Sequence, residues 1–423
     1  MNATSVRSVL YRSLPLAALI FVAVALAACG GSAATPAPAA TTEATTEATT
    51  EATTEATTEA TVEATVAATE EITAAAAVTA TAGISDAAPI TATTPVTGAA
   101  AAAPAAYPAI TIAAKPDKLR IGYQAIPNAE LIAKQAGWHE KALGIPIEWL
   151  QFESGRDVNT AIASGSIDIG LVGSSPAAAG IARGLPYDVI AFYDLIGDSE
   201  ALAVKPEITS FADLKGKKIG APFGSTTHYS LLQVLKLNGI DPGEVTLLGF
   251  NPTDLLAAWT RGDIDAAYVW QPTLQKLYDS GGKKLIGSDE VAKAGFPTFD
   301  VAVATRDFSG KYPEVVATYL QDLSKGVDLY RSDPKQAGEL IGKELGITPE
   351  EALAQAKGLI WLTAAEQLAP EYFGTKAAPG ALGQALKNTA DFLVEQKVLD
   401  SAPELSAFQT GANPAFLQQA AGQ

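Results

Sequence analysis

From residue 119 onward, apolar and polar positions follow two rhythms in turn, a period of two and a period near 3.6. Residues 119–123 read as a first strand that ends in polar Gln124 and the turn residues Pro127 and Asn128. Residues 129–141 are helix-compatible, 147–152 form a second strand, and Glu153-Ser154-Gly155 turns into a helix over 156–163. Residues 164–172 are a turn and a buried strand, followed by Gly173-Ser174-Ser175-Pro176 and a run of small residues. Ser175 as N-cap with Pro176 at the first helical position predicts a helix start there. Strands continue at 187–193 and 200–204, and 211–214 is helix-like. Residues 217–232 read as a strand, a turn and a helix start; 245–249 is a strand, 253–260 a helix, and 264–269 a strand ending in Trp270. Gly262-Asp263-Ile264-Asp265 echoes Gly165-Ser166-Ile167-Asp168, as one β-α-β plan used twice would give. From Tyr312 the chain turns helical, over 313–330, 334–345, 349–362 and 381–396, in a block expected to pack on the first lobe. Strands alternating with helices over roughly 180 residues predict an α/β fold with largely parallel sheets. In such sheets ligands bind beyond the carboxyl ends of the strands.

Before residue 117 the rhythm is absent. Arg7 and Arg12 precede an apolar run over 14–28, which has the charged, apolar and small-residue regions of a secretory signal and is short for a bilayer span. Cys29 is the only cysteine, which excludes an internal disulfide. Leu26-Ala27-Ala28-Cys29 resembles the bacterial lipoprotein signal, in which that cysteine is acylated and becomes the mature N-terminus. The expectation is a signal over 1–28 and an extracytoplasmic protein held to the membrane by a lipid on Cys29 rather than spanning it. Residues 29–116 are dominated by Ala, Thr, Glu and Pro, with Thr-Thr-Glu-Ala repeating over 41–60. Such a composition cannot bury enough apolar surface to offset ordering entropy, so it reads as a disordered tether. As a coil of about 85 residues its mean reach is roughly 50 Å.

Charge and rare residues narrow the chemistry. The formal net charge is −17, from 29 Lys+Arg against 46 Asp+Glu. That balance argues against nucleic acid or an anionic lipid surface as partner, and any anion site must be local. Two histidines, His139 and His228, and one cysteine leave no metal constellation, no cofactor motif and no Ser-His-Asp or paired-acid arrangement for an enzyme.

The stretch 217–232 carries the strongest candidate. Ser225, Thr226 and Thr227 stand where a helix presents its first unpaired N–H groups, and those groups with the helix dipole make an anion site. No cationic side chain lies in the turn, which suits a sulfonate or carboxylate better than a polyphosphate. Ser174 and Ser175 form a second cluster of hydroxyls at the end of a strand.

Over about residues 119–405 these segments resemble the solute-binding proteins of taurine and aliphatic-sulfonate ABC importers, the taurine branch most closely. The resemblance rests on Gly173-Ser174-Ser175-Pro176, Asp198-Ser199-Glu200-Ala201-Leu202, Pro222-Phe223 with Ser225-Thr226-Thr227-His228-Tyr229-Ser230, Ala257-Ala258-Trp259, Arg261-Gly262-Asp263-Ile264-Asp265 through Trp270, and Pro297-Thr298-Phe299-Asp300-Val301. It implies a type II periplasmic-binding-protein fold, two α/β lobes with a ligand cleft between them. The crossovers are expected near 205–209 and 300–305, giving a first lobe over 117–209 and 300–423 and a second over 210–299.

What the resemblance implies for the site is a clamp on one anionic group, with Ser174 and Ser175 facing Ser225, Thr226 and Thr227 across the cleft and Gln124 donating to the sulfonate. His228 either donates to the anion or packs. Asp300 is the family's ammonium-binding aspartate, Glu200 a second carboxylate for the amine, and Trp270 stacks on the ammonium or ethylene carbons. Trp138, Trp149, Trp259 and Trp361 read as core or helix-face residues. Asp198 and Glu153 depart from the Asn and Asp usual in the family, so a small aminosulfonate is a firmer expectation than taurine itself. The partners implied are an ABC permease and ATPase, with a monomeric chain and no cofactor. Competing readings are a binding protein for aliphatic sulfonates, nitrate or a thiamin-pyrimidine precursor, a thiamin-pyrimidine synthase-like enzyme, and a ligand sensor without transport.

Overall fold

The computed structural model describes residues 107–423, so the expectations for the signal, Cys29 and most of the tether lie outside the described residues. In chain order the strands are β1 (Leu119–Gln124), β2 (Ile147–Phe152), β3 (Ile169–Gly173), β4 (Tyr187–Ile196), β5 (Glu200–Val204), β6 (Lys218–Ala221), β7 (Thr246–Gly249), β8 (Ala266–Trp270), β9 (Lys283–Gly287), β10 (Phe299–Thr305) and β11 (Leu359–Ile360). They form two sheets, ordered β11-β4-β10-β3-β1-β2 and β7-β6-β8-β5-β9. Helices connect the parallel neighbours, β1 with β2 and β3 in one sheet and β6 with β7 and β8 in the other. β5 and β10, each the first strand after the chain passes from one sheet to the other, run against their neighbours.

The passages fall earlier than the sequence suggests. Glu200–Val204 is a fully buried strand of the second sheet, paired residue for residue with Trp270 back to Ala266, so the first passage runs through Gly197, Asp198 and Ser199 instead of 205–209. The polar triplet, not the end of the apolar run, is the break. The return passage lies between the helix Ser288–Lys293 and Phe299, again ahead of the expected 300–305.

Helix boundaries follow local chemistry. The predicted helix over 129–141 breaks at Gly137, whose φ of 63° is left-handed, and restarts as Trp138–Leu143. The predicted helix over 349–362 stops at Ala356, and Leu359–Ile360 instead pairs with β4. Ser225 is the N-cap of the helix Thr226–Leu237, accepting from the His228 N–H at 3.3 Å. The other expected cap differs: Gly173 caps the helix Ser174–Ala182, and Pro176 is its third residue.

One core, including Ile121, Leu171, Phe192, Val301 and Tyr319, fills the first lobe, and a smaller one around Leu202, Ile219, Leu231 and Tyr268 the second. Burying each such side chain contributes about 1.5–3 kcal/mol. Trp259 and Trp361 are buried in core clusters, and Trp138 and Trp149 pack partly buried against one. The C-terminal helices lie mainly on the first lobe, but Leu382–Glu395 also reaches the second. There Phe392 meets the Tyr229 ring edge-on at 5.1 Å, and Glu395 pairs with Lys236 at 2.8 Å. Among the described residues no helix is long and apolar enough to cross a membrane.

Candidate functional site

A small cavity of about 30 Å³ lies where the carboxyl ends of the parallel strands of both sheets meet. From the first lobe it is lined by Gln124 at the end of β1, Gly173 at the end of β3, Ile196 at the end of β4, Asp300 in β10 and Leu359 in β11, with Ile126, Pro127, Gly155 and Pro176 from the loops and helix starts. From the passage and the second lobe come Ser199, Glu200, Thr226, Trp270 and Gln271. β5 and β10 are antiparallel, so it is their starts that bring Glu200 and Asp300 to the same edge as the ends of the other strands.

Three helix N-termini converge on this space: Gly155–Ala163 through Gly155, Ser174–Ala182 through Gly173 and Pro176, and Thr226–Leu237 through Thr226. Their unpaired N–H groups and dipoles favour an anion between them. The approach is close enough to require glycine. A Cβ on Gly173 would sit 2.6 Å from Thr226 Cγ2 and 3.3 Å from Asp300 Oδ1, and one on Gly155 would sit 2.8 Å from Pro176 Cγ. At the rim, Thr253 of the second lobe donates to Glu153 of the first at 2.8 Å.

The predicted hydroxyls divide. Thr226 lines the cavity and donates to Glu200 Oε1. Ser225 and Thr227 do not line it; Ser225 is occupied by its cap, by donation to the Pro222 carbonyl at 2.6 Å and by Thr227 at 2.8 Å. Ser174 and Ser175 are buried, their hydroxyls have no partner, and it is their neighbours Gly173 and Pro176 that line the cavity. Gln124 lines it and donates to the Leu171 carbonyl at 3.1 Å. Trp270, half-buried, sits directly opposite Glu200 in the β5–β8 register. His228 stands apart: its ring stacks on Phe223 at 4.5 Å, its Nδ1 accepts from the Gly224 N–H at 3.4 Å, and burial depresses its pKa to about 4, so it is a neutral packing residue. Asp198 and Glu153 do not line the cavity either; Asp198 pairs with Lys284 at 3.0 Å.

Beside these helix starts stands a set of carboxyl groups. Glu200 accepts from Thr226 and from Ser288 at 3.3 Å, and its pKa is pushed up to about 8, chiefly by burial and then by Asp300. Burial raises Asp300 to about 7. Behind Asp300, paired with it across the β4–β10 register, is Asp194, fully buried with neither oxygen partnered. Burial first, then the charges of Asp300 and Glu200, hold it well above the usual carboxylate range. Among the described residues no salt bridge reaches any of the three. The site therefore offers dipole-rich N–H groups for a negative group and unpaired carboxyls for a positive one. Sequence reasoning missed Asp194, Ser199 and Gln271. Asp194 left a signal, since it is the only charge inside the apolar run 189–196, while Ser199 and Gln271 merely adjoin the motif residues Glu200 and Trp270.

Comparison with known proteins bears on this geometry. The family described as NMT1/THI5 like matches residues 128–337. The chain is 36% identical over 308 residues to the taurine-binding periplasmic protein of Escherichia coli (strain K12), covering 71% of this chain and 94% of that protein. It is 30% identical over 228 residues to a putative aliphatic sulfonates-binding protein of Bacillus subtilis (strain 168), covering 53% of this chain and 68% of that one. In structure it is similar to the alkanesulfonate-binding protein SsuA from Xanthomonas axonopodis pv. citri bound to MOPS, with a TM-score of 0.59 at 23% identity over 71% of this chain and 99% of that one. The periplasmic nitrate-binding protein NrtA from Synechocystis PCC 6803 gives a TM-score of 0.58 at 14% identity, over 72% of this chain and 88% of that one. These likenesses show the type II periplasmic-binding-protein fold. The length and identity of the match to the Escherichia coli protein show that the chain belongs to the family of periplasmic binding proteins that includes it.

Proposed function

We propose that this protein is the extracytoplasmic solute-binding component of an ABC importer, capturing taurine or a closely related small aminosulfonate and delivering it to a permease and its ATPase. The observation that carries the reading is one cavity with two opposite characters, helix N-termini contributed by both lobes and carboxyls with no cationic partner. A zwitterion satisfies both. In this reading the sulfonate lies among the N-termini near Gly155, Gly173 and Thr226, with Gln124 turning a donor toward it. The ammonium lies by Asp300 and Glu200, and Trp270 covers the linking carbons, a cation–π contribution of about 0.5–2 kcal/mol. The lobes act as a clamp hinged at the two passages, and closure buries the ligand. The similarity to a protein named for taurine supports the choice of ligand. Secretion, acylation of Cys29 and a tether ahead of residue 117 complete the proposal and would let the clamp work at a distance from the membrane.

Calorimetry of the protein with taurine, ethanesulfonate, nitrate and β-alanine tests it. Taurine should bind at micromolar or tighter Kd, with ethanesulfonate and β-alanine each at least tenfold weaker, about 1.4 kcal/mol. Tightest binding of nitrate or ethanesulfonate would refute the aminosulfonate reading. For the anchor, a Cys29→Ser protein should leave the membrane fraction; continued partition with membranes would refute acylation at that residue.

A further inference from the structure

We infer that capture of an amine-bearing ligand in this cavity is coupled to proton release, with Asp300, backed by the buried Asp194, as the carboxyl that gives up its proton when the ligand's cation arrives. This rests on the reading that the cavity takes a small aminosulfonate. Asp194 and Asp300 are direct partners across β4 and β10, where opposed side chains have Cβ atoms about 4.5–5.5 Å apart. Asp194 is fully buried, neither of its oxygens has a partner, and it does not line the cavity.

The surroundings supply no compensating cation. Glu200 from β5 adds a third carboxyl whose charge acts on Asp194. β11 and the helices Leu405–Gly411 and Ala415–Ala421, which also pack on β4, carry no ionisable side chain, and neither do β3 and the helix Ser174–Ala182 on the other side of β10. Tyr193, next along β4, is engaged with Glu130 at 2.9 Å, and Arg306, beyond the far end of β10, is paired with Asp188 at 2.8 Å. Carboxylates crowded in a dry site cannot all ionise, so the empty site retains protons. A ligand ammonium favours the ionised form: the ammonium–carboxylate pair forms and the carboxyl proton leaves to solvent. The sulfonate end exchanges no proton.

Calorimetry of taurine binding to the full chain, repeated at pH 7 in buffers of different ionisation enthalpy, reads the proton count without any variant. The inference predicts release of about one proton per taurine, and an apparent affinity that rises with pH to a plateau. Ethanesulfonate, which has no amine, should release none. In Asp300→Asn that carboxyl is gone, so taurine binds more weakly, fewer protons are released at pH 7, and the affinity depends less on pH. A purely structural defect would weaken binding at every pH and leave the proton count alone. Taurine binding with no proton exchange overturns the proton coupling while leaving the ligand assignment standing. An unchanged count in a folded Asp300→Asn protein overturns the role of Asp300. Failure of taurine to bind at all overturns the ligand assignment and the inference together.

Discussion

Two clusters of hydroxyls open two helices on opposite sides of the cavity, and they are used in opposite ways. In Ser225-Thr226-Thr227 the cap and its neighbours satisfy one another, and only Thr226 turns to the cavity and to Glu200. In Ser174-Ser175 the cap is the preceding glycine and both hydroxyls are buried without partners. The first cluster shapes its helix start with side chains. The second leaves the close approach to Gly173, where a bare backbone lets Thr226 come in from the other lobe. What a helix start offers an anion is its N–H groups and the room in front of them, and a count of hydroxyls in the sequence does not report either.

Substitution can break this contrast. The largest effect is expected at Gly173→Val, whose side chain would collide with Thr226 and Asp300 and hold the lobes apart; taurine affinity should fall at least a hundredfold, about 2.7 kcal/mol, with unchanged far-ultraviolet dichroism. Asp300→Ala should weaken taurine binding at least tenfold in calorimetry and leave ethanesulfonate little affected. Ser225→Ala removes a working cap and should lower stability to urea by about 1 kcal/mol, whereas Ser175→Ala, which breaks no hydrogen bond, should lower it by less. His228→Phe preserves the stack on Phe223 and should change taurine affinity by less than about twofold.

The pH dependence of stability sharpens the contrast between the carboxyls and His228. Glu200 and Asp300 hold protons in the native ligand-free protein up to about pH 8 and 7, which the unfolded chain releases near 4.5 and 3.8. The native state binds more protons in that window, so these groups make stability fall as pH rises through it. His228 works the other way: with a native pKa of about 4 against 6.5, its contribution is present above 6.5 and lost as pH falls toward 4. Two carboxyls outweigh one histidine, so these groups should make Tm fall as pH rises across pH 4–8, less steeply below 6.5 where His228 opposes them. Saturating taurine should raise Tm most on the alkaline side, where the carboxyls are otherwise ionised and unpaired.

Much of this fold was legible in the sequence, because alternating rhythms and turn residues specify strands and helices locally. The α/β alternation and the helix start among Ser225, Thr226 and Thr227 were readable. The passages were misplaced because an apolar strand such as Glu200–Val204 does not say which sheet it joins; that depends on pairing with β8, which lies more than sixty residues away. Gln124, Glu200, Thr226, Trp270 and Asp300 were proposed from the sequence and line the cavity, while Ser225, Thr227, His228, Ser174 and Ser175 do not. Motif residues share a neighbourhood, but side-chain direction within a helical turn is decided by packing. Asp194 became meaningful only through its register with Asp300, a contact across 106 residues of chain.

The most direct test of a cavity with a dipole end and a carboxyl end is a crystal structure of the protein with taurine bound. The account predicts the sulfonate among the N–H groups at Gly155, Gly173 and Thr226, and the ammonium within hydrogen-bonding distance of Asp300 and Glu200. Taurine lying in the reverse orientation, or outside this cavity, would contradict it.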